Sequence, residues 1–290
     1  MTLEDLIYSR LAAEGGPADL LTKYEEAPAV FYQAAPEDTA EGWNGKPQYP
    51  RLDFVVDMQA NPERHSTGVL TINIWSTETL DPPEAIEPGV RGALQGIFIQ
   101  PDEGPPFSAA WVRSDAFEQR NQANPNTLVI GITVTFDLFA FPNQETTDPD
   151  PILAINEFTH AWAQEALVIG RDPLRRFEAP TAGRPFFYFR LAALQTERET
   201  NTVAWMTGTI AGHIFAPAEA RLTWLKALTD ALAYRGEVLM LDTSPMFITR
   251  LKADSTADPL TTGQLRLSIR FGLLRRPKYA HTLITAHKPI

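Results

Sequence analysis

The chain is 290 residues long, about twice a usual domain, and 44% of it is hydrophobic, so it can form real cores. It contains no cysteine, which excludes disulfides, thiolate nucleophiles and cysteine-held metals and fits a reducing compartment. Its net charge of −11 opposes general binding to nucleic acid, which requires a basic face, and no apolar run approaches the ~20 residues of a membrane span.

In chain order, the acidic, amphipathic start reads as a helix rather than a secretory signal. Thr2 and Asp5 form a capping box before Leu3, Leu6, Ile7 and Leu11. Gly45-Lys46-Pro47 leads into an alternating strand, Leu52 to Val56. A polar loop from Gln59 to Ser66 follows, and then a second strand from Val69 to Trp75, so the segment reads as a hairpin. A helix is predicted from Pro88 to Phe98, an extended connection over 99–110, a penultimate strand in 106–114, and a closing strand through Ile130, Ile132, Val134, Phe136 and Leu138.

The second half repeats this order. Asp150-Pro151 starts a helix with Ile152, Ile155, Phe158 and Trp162 on one stripe. Gly183-Arg184-Pro185 leads into Phe187 to Leu191, a polar loop from Gln195 to Asn201 and a strand from Val203 to Ile210. A Pro217–Arg235 helix closed by Gly236 follows, then a strand in 245–252. The closing strand, Leu265, Leu267, Ile269, Phe271 and Leu273, superposes on that of the first half at a constant offset of 135 residues (Ile130 to Leu265). The prediction is therefore an α+β protein made of two tandem copies of an antiparallel-sheet domain with helices packed on one face. The copies span 1–142 and 150–277, joined by a polar, Pro-bearing linker and followed by a C-terminal arm, 278–290. Their charge differs. Residues 1–145 hold 8 of the 25 basic and 22 of the 36 acidic side chains, a balance of −14, which leaves +3 for the remainder.

The search for chemistry yields no catalytic, cofactor-binding or metal-binding residue to nominate. None of His65, His160, His213, His281 and His287 has standard metal-ligand spacing. Glu157-x-x-His160 places a carboxylate and an imidazole on one helical face, but the second pair that a di-iron site needs is missing, and a solvated helix face is the better reading. The pairs Glu25-Glu26 and Asp148/Asp150 sit in expected loops, Arg175-Arg176 and Arg275-Arg276 read as solvated or interface charges, and the six tryptophans read as core anchors. There is no nucleophile elbow, P-loop or dinucleotide fingerprint. A duplicated, acidic, cysteine-free chain of this kind points to assembly or binding rather than to an enzyme.

The amphipathic Thr2–Leu11 helix, Gly45-Lys46-Pro47, the 52–75 hairpin, the 88–98 helix and the 128–141 strand together resemble the tail-terminator, or tail-completion, family of tailed bacteriophages. The likeness covers both halves but rests on pattern, without a diagnostic motif. It departs from the family's usual single domain and has a longer 99–110 connection. The resemblance implies a structural virion protein that assembles in the host cytoplasm into a ring at the head-proximal end of the tail. Such a ring is a hexamer, or a trimer with pseudo-sixfold symmetry. Its partners would be further copies of itself, the tail tube protein, the neck or connector proteins, and a sheath protein if the tail contracts. DNA would pass through the lumen without specific binding, and no membrane or cofactor is involved. On this reading the hairpin tips, Pro62, Glu63, Arg64 and Glu197, Arg198, Glu199, are the interface residues. The alternatives are another tail or injection-machine component (tube, sheath or baseplate adaptor) and a polysaccharide hydrolase built on paired carboxylates.

Overall fold

The computed structural model describes residues 1–120 and 127–275. The predicted arm and the doublet member Arg276 therefore lie outside the described residues, as do His281 and His287. The expected α+β architecture is present: two large sheets, each covered on one face by two helices, besides a two-stranded ribbon near the start of the chain.

Helix α1 (Leu3–Leu11) begins at the predicted capping box, with the Thr2 side chain accepting from the Asp5 amide and the Asp5 carboxylate accepting from the Thr2 amide. Short strands β1 (Lys23–Tyr24), β2 (Ala27–Pro28) and β3 (Val30–Tyr32) precede the first hairpin, β4 (Arg51–Asp57) and β5 (Gly68–Thr77). Helix α2 runs from Pro83 to Leu94, five residues earlier at its start than predicted. Pro83 occupies the first turn, where no amide donor is needed. Pro88 lies inside the helix, which buries a stripe of Ile86, Val90, Ala93 and Leu94. Strands β6 (Phe98–Ile99), β7 (Phe107–Arg120) and β8 (Leu128–Ala140) complete the first half.

In the second half, helix α3 (Pro151–Trp162) is capped by the Asp150 carboxylate, as predicted, and α4 (Ala218–Arg235) ends at Gly236, whose φ of 69° is the left-handed conformation glycine adopts freely. The strands are β9 (Leu167–Val168), β10 (Phe177–Glu178), β11 (Phe186–Glu199), β12 (Val203–Phe215), β13 (Glu237–Leu239), β14 (Pro245–Ala253) and β15 (Leu265–Leu274). Contrary to the predicted 195–201 loop, β11 continues through Glu199 and turns back within three residues. Both faces of its far half are wet, so the alternation that marks a half-buried strand is missing there.

The strand orders are β10-β6-β7-β8-β5-β4-β3 and β13-β14-β15-β12-β11-β9. Set β10 aside and the two are the same, strand for strand. Registers correspond as well: Ile74 of β5 faces Ile132 of β8, and Ile210 of β12 faces Leu267 of β15. Each sheet is antiparallel apart from one short parallel pair at its edge, β3 with β4 and β9 with β11. The alternating residues of β8 and β15 bury their apolar set against the helices: Ile132, Val134, Phe136 and Leu138 in one core, Leu265, Leu267, Ile269 and Phe271 in the other.

A third apolar cluster joins the lobes. Phe98, Phe139 and Phe141 from the first pack on Leu167, Ile169, Phe186, Tyr188 and Phe215 from the second. The Phe98 ring lies 5.3 Å from Phe141, 5.3 Å from Phe186 and 4.9 Å from Phe215. The second half also donates β10 to the first sheet, pairing Phe177 with Ile99. The segment after Pro142 is fastened rather than loose: the Tyr188 hydroxyl donates to the Pro142 carbonyl at 2.8 Å and the Leu191 amide to Gln144 at 2.7 Å. Thus the chain crosses the expected 142/150 boundary twice, once through the seam and once through β10.

Phe98 is 1% exposed and contacts both lobes. Phe98→Ala should cost about 3–5 kcal/mol, the usual range for emptying a buried aromatic site. Urea unfolding followed by probes in both lobes should show them destabilised together. A loss below ~1 kcal/mol, or one confined to the first lobe, would show that the seam does not couple them.

Candidate functional site: the cleft between the lobes

The aromatic seam closes only one side of the junction. Beside it lies a cleft of about 470 Å³, lined by His65, Thr67 and Gln144 from the first lobe and linker and by Tyr188, Arg190, His213 and Arg266 from the second. The second-lobe groups come from neighbouring strands on the sheet face opposite the helices. Tyr188 faces His213 across β11 and β12, Arg190 faces Ala211, and Ala211 faces Arg266 on β15. Paired residues in an antiparallel ladder project to the same side, so this face gathers two arginines, a histidine and a tyrosine. The loop Asp258–Thr262 covers one flank, and the first lobe's turn brings in His65, whose φ is 57°.

The hydrogen bonds fix one tautomer. His213 is 2% exposed, and its Nδ1 lies 2.7 Å from the Pro259 carbonyl, which can only accept. Nδ1 therefore carries the proton, and Nε2 accepts from Arg190 Nε at 3.1 Å. Burial, with the charges of Arg190 and Arg266, pushes the imidazole pKa down to about 4 despite the carbonyl contact and Asp258. Arg190 makes one further bond, from Nη2 to the Thr261 carbonyl at 3.3 Å. Burial pushes the Tyr188 hydroxyl up to about 12, a neutral group that donates to Pro142.

The predicted interface residues do not form one surface. Pro62, Glu63 and Arg64 lie in the turn between β4 and β5, next to the cleft, where Arg64 pairs with the buried Asp137 at 3.4 Å. Glu197, Arg198 and Glu199 lie at the far end of β11, about 12 residues of strand from the seam, on the order of 40 Å. There Glu197 pairs with Arg270 at 2.6 Å and Glu199 pairs with Arg275. Thus three of the five charged tip residues, Arg64, Glu197 and Glu199, are engaged within the chain.

Other nominated residues have structural partners. His160 approaches Asp172 at 3.2 Å and Glu157 takes Arg171 at 2.9 Å, while Asp172 also accepts from the Val168 amide. Burial raises the Asp172 pKa, but its hydrogen bonds from Val168 and Arg171 and the charge of His160 together hold it below the ordinary value. No group of three or more His, Asp or Glu side chains that could hold a metal occurs among the described residues. Of the tryptophans only Trp43 is fully buried. Trp111 and Trp205 lie at the surface of their sheets under Arg91 and Arg270, correcting their expected place in the core. Arg176 belongs to the junction, 3.6 Å from Asp102.

Two long strand edges stand open. Strand β9 covers only Phe186 and Phe187 of β11, and β6 covers only Phe107 and Ser108 of β7. Beyond these the outer edges of β11 and β7 have no strand partner among the described residues. Both carry bulges, between Trp111 and Arg113 and at two places in β11, and charged side chains that blunt random edge pairing.

No family model, no curated protein and no solved structure matches this chain. No helix among the described residues is long and apolar enough to cross a membrane.

The neutral, buried His213 makes stability depend on pH in a defined direction. The unfolded imidazole protonates near its ordinary 6.5, whereas the folded one resists until about 4, so the unfolded state binds the extra proton between these values. Stability should fall as pH drops from about 6.5 to 4, by up to about 3 kcal/mol from this group. His213→Gln should remove that component, read as the difference between wild-type and variant unfolding free energies across the window; parallel curves would refute the assignment.

Proposed function

We propose that this chain is a ring-forming structural protein of a bacteriophage tail, placed at its head-proximal end, where it ends tube growth and joins the tail to the neck. The observation that carries the reading is how the two like lobes meet. The first lobe enters the seam with the end of β8, through Phe139 and Phe141, while the second presents the opposite end of its sheet, the start of β11 and the end of β12. The contact is head-to-tail rather than two-fold. A head-to-tail contact leaves one unlike end open on each side, and repetition between chains closes a ring when the rotation allows.

The open end of the second lobe supports this. The residue that corresponds to Phe139 at the 135 offset is Leu274, and the two differ in exposure: 6% for Phe139 in the seam, 77% for Leu274. Leu239, Leu241 and Phe247, on β13, the following turn and β14, are also exposed, at 61%, 67% and 36%. Their chain neighbours place them toward the same end, since Phe247 faces Arg270 and β15 runs on from there to Leu274. Charge favours the same pairing, because the acidic first lobe of one copy would meet the near-neutral second lobe of the next. A ring whose inner wall is the acidic lobe would repel the phosphates of passing DNA, leaving the tube and neck proteins, and a sheath protein if the tail contracts, as partners on its outer and end faces.

The purified chain should have the native mass of a trimer or hexamer by light scattering, and negative-stain images should show a ring with a hole wide enough for duplex DNA. Burying a leucine contributes about 1.5–3 kcal/mol, so Leu274→Glu should raise the dissociation constant at least about tenfold and shift the population to monomer. A chain that stays monomeric alone and when mixed with tail tubes would rule the ring out.

A further inference from the structure

The two lobes differ most at the cleft, and the difference is visible row by row. In the first lobe, Arg51 of β4 faces Trp75 of β5, which faces Gly131 of β8. In the second lobe the same positions of the corresponding strands hold Arg190, Ala211 and Arg266. The first row is filled. The Trp75 indole occupies the middle, the Phe117 ring lies against it at 4.7 Å and covers Gly131, and Arg51 stacks on Tyr49 at 4.8 Å and pairs with Asp38 at 3.3 Å. That row is filled from within by its own side chains, with the Arg51 charge paired to Asp38.

The second row is charged instead. Alanine replaces the indole and an arginine replaces the glycine, so the row carries two guanidiniums and no large apolar side chain. The two guanidiniums spring from strands two ladder spacings apart, about 10 Å, and both line the cleft. Neither forms an ion pair with a described residue, and no carboxylate lines the cleft. Arg190 is held in place by two neutral acceptors, His213 Nε2 and the Thr261 carbonyl, which orient it without cancelling its charge. The neutral imidazole matters here, because a charged one would lose the acceptor that positions Arg190. Gathering two arginines without an ion-pair partner beside a tyrosine and His65 is unfavourable in itself, and stands out in a chain of net charge −11.

From this juxtaposition we propose that the cleft is an anion site, in which Arg190 and Arg266 grip one small oxyanion group, a phosphate or a carboxylate. Planar guanidiniums suit both groups because each can present two parallel N–H donors to two oxygens. His65 closes the site from the first lobe, so a bound anion would tie the lobes together beside the aromatic seam. This proposal does not depend on the ring reading, since the site lies within one chain.

The test uses the full chain, with inorganic phosphate and acetate as separate probes in calorimetric titration and thermal unfolding. Saturable binding of at least one, with a rise in unfolding temperature, is expected. Phosphate alone would assign the phosphate class and acetate alone or both would assign a carboxylate. Arg266→Gln, at an exposed position, should weaken binding at least tenfold while leaving the fold intact. Arg190→Gln should do the same, and because it could also loosen His213, its unfolding temperature without anion is measured alongside. Arg270→Gln, on β15 outside the cleft, is the control and should bind as the wild type does. No saturable binding of either probe, or equal binding by wild type and Arg266→Gln, would overturn the site.

Discussion

The packing of Phe98 against Phe141, Phe186 and Phe215 is the interaction on which the rest of the molecule depends. Each lobe has its own core, and each sheet could bury its helices without the other. What neither lobe can do alone is cover the end of its sheet. Phe98 and Phe141 close one end of the first sheet, Phe186 and Phe215 the opposite end of the second, and edge-on ring contacts suit aromatic side chains that must fill an irregular gap. Because these rings fix the lobes, Tyr188 can reach the Pro142 carbonyl, β10 can pair with β6, and the turn that carries His65 lies over the second sheet. The cleft is a consequence of the seam: two sheets joined at one corner leave a space beside the joint.

That geometry explains why so much charge near the junction is either fully partnered or wholly exposed. On the first sheet's outer face, Asp53 is nearly buried and accepts from Asn73 at 2.7 Å and from the Trp75 indole, and Thr133 donates to Asn73 at 2.8 Å. Burial still raises the Asp53 pKa, in spite of those two hydrogen bonds and the charge of Arg51. This lobe has used its polar groups on itself. The second lobe keeps the same arginine position but leaves the middle of the row small. Two lobes with one topology have thus divided the work, one face sealed and one left accessible.

Much of the architecture could be read from the residues because it rests on local periodicity. The closing strands, β8 and β15, are legible through strict alternation of large apolar and small or polar residues, and the α1 and α3 starts through Thr2, Asp5 and Asp150. Strand β10 was not legible: two residues, Phe177 and Glu178, carry no period, and only the neighbouring β6 makes them a strand. The far half of β11 lacks the alternation of a half-buried strand, and Pro82-Pro83 reads as a turn as readily as the first turn of α2. The cleft was illegible for a different reason. Arg190, His213 and Arg266 are separated by 23 and 53 residues, and nothing in their local sequence marks them. Only the register of β11, β12 and β15 makes them neighbours. The signal lies in the repeated strand order of the two lobes, which puts Ala211 where the first lobe has Trp75.

The likeness of the two lobes also accounts for the apolar character of the second lobe's open end. A side chain such as Leu274 gains nothing from water, and a lone exposed leucine needs no explanation. Here its counterpart is Phe139, a residue buried in a contact between like lobes, and the exposed Leu239, Leu241 and Phe247 accompany it on adjoining elements. An exposed apolar residue whose counterpart is already buried in a contact between like lobes is a stronger indication of an interface than apolarity alone. The intrachain seam also sets the scale: a handful of aromatic rings suffices because the linker already holds the lobes together. Between chains no such tether exists, so a ring contact of the kind proposed would need a larger area, complementary charge, or strand pairing along the open edges of β7 and β11. Those edges, bulged and charged rather than flat and apolar, would admit a partner of matching shape and reject casual ones.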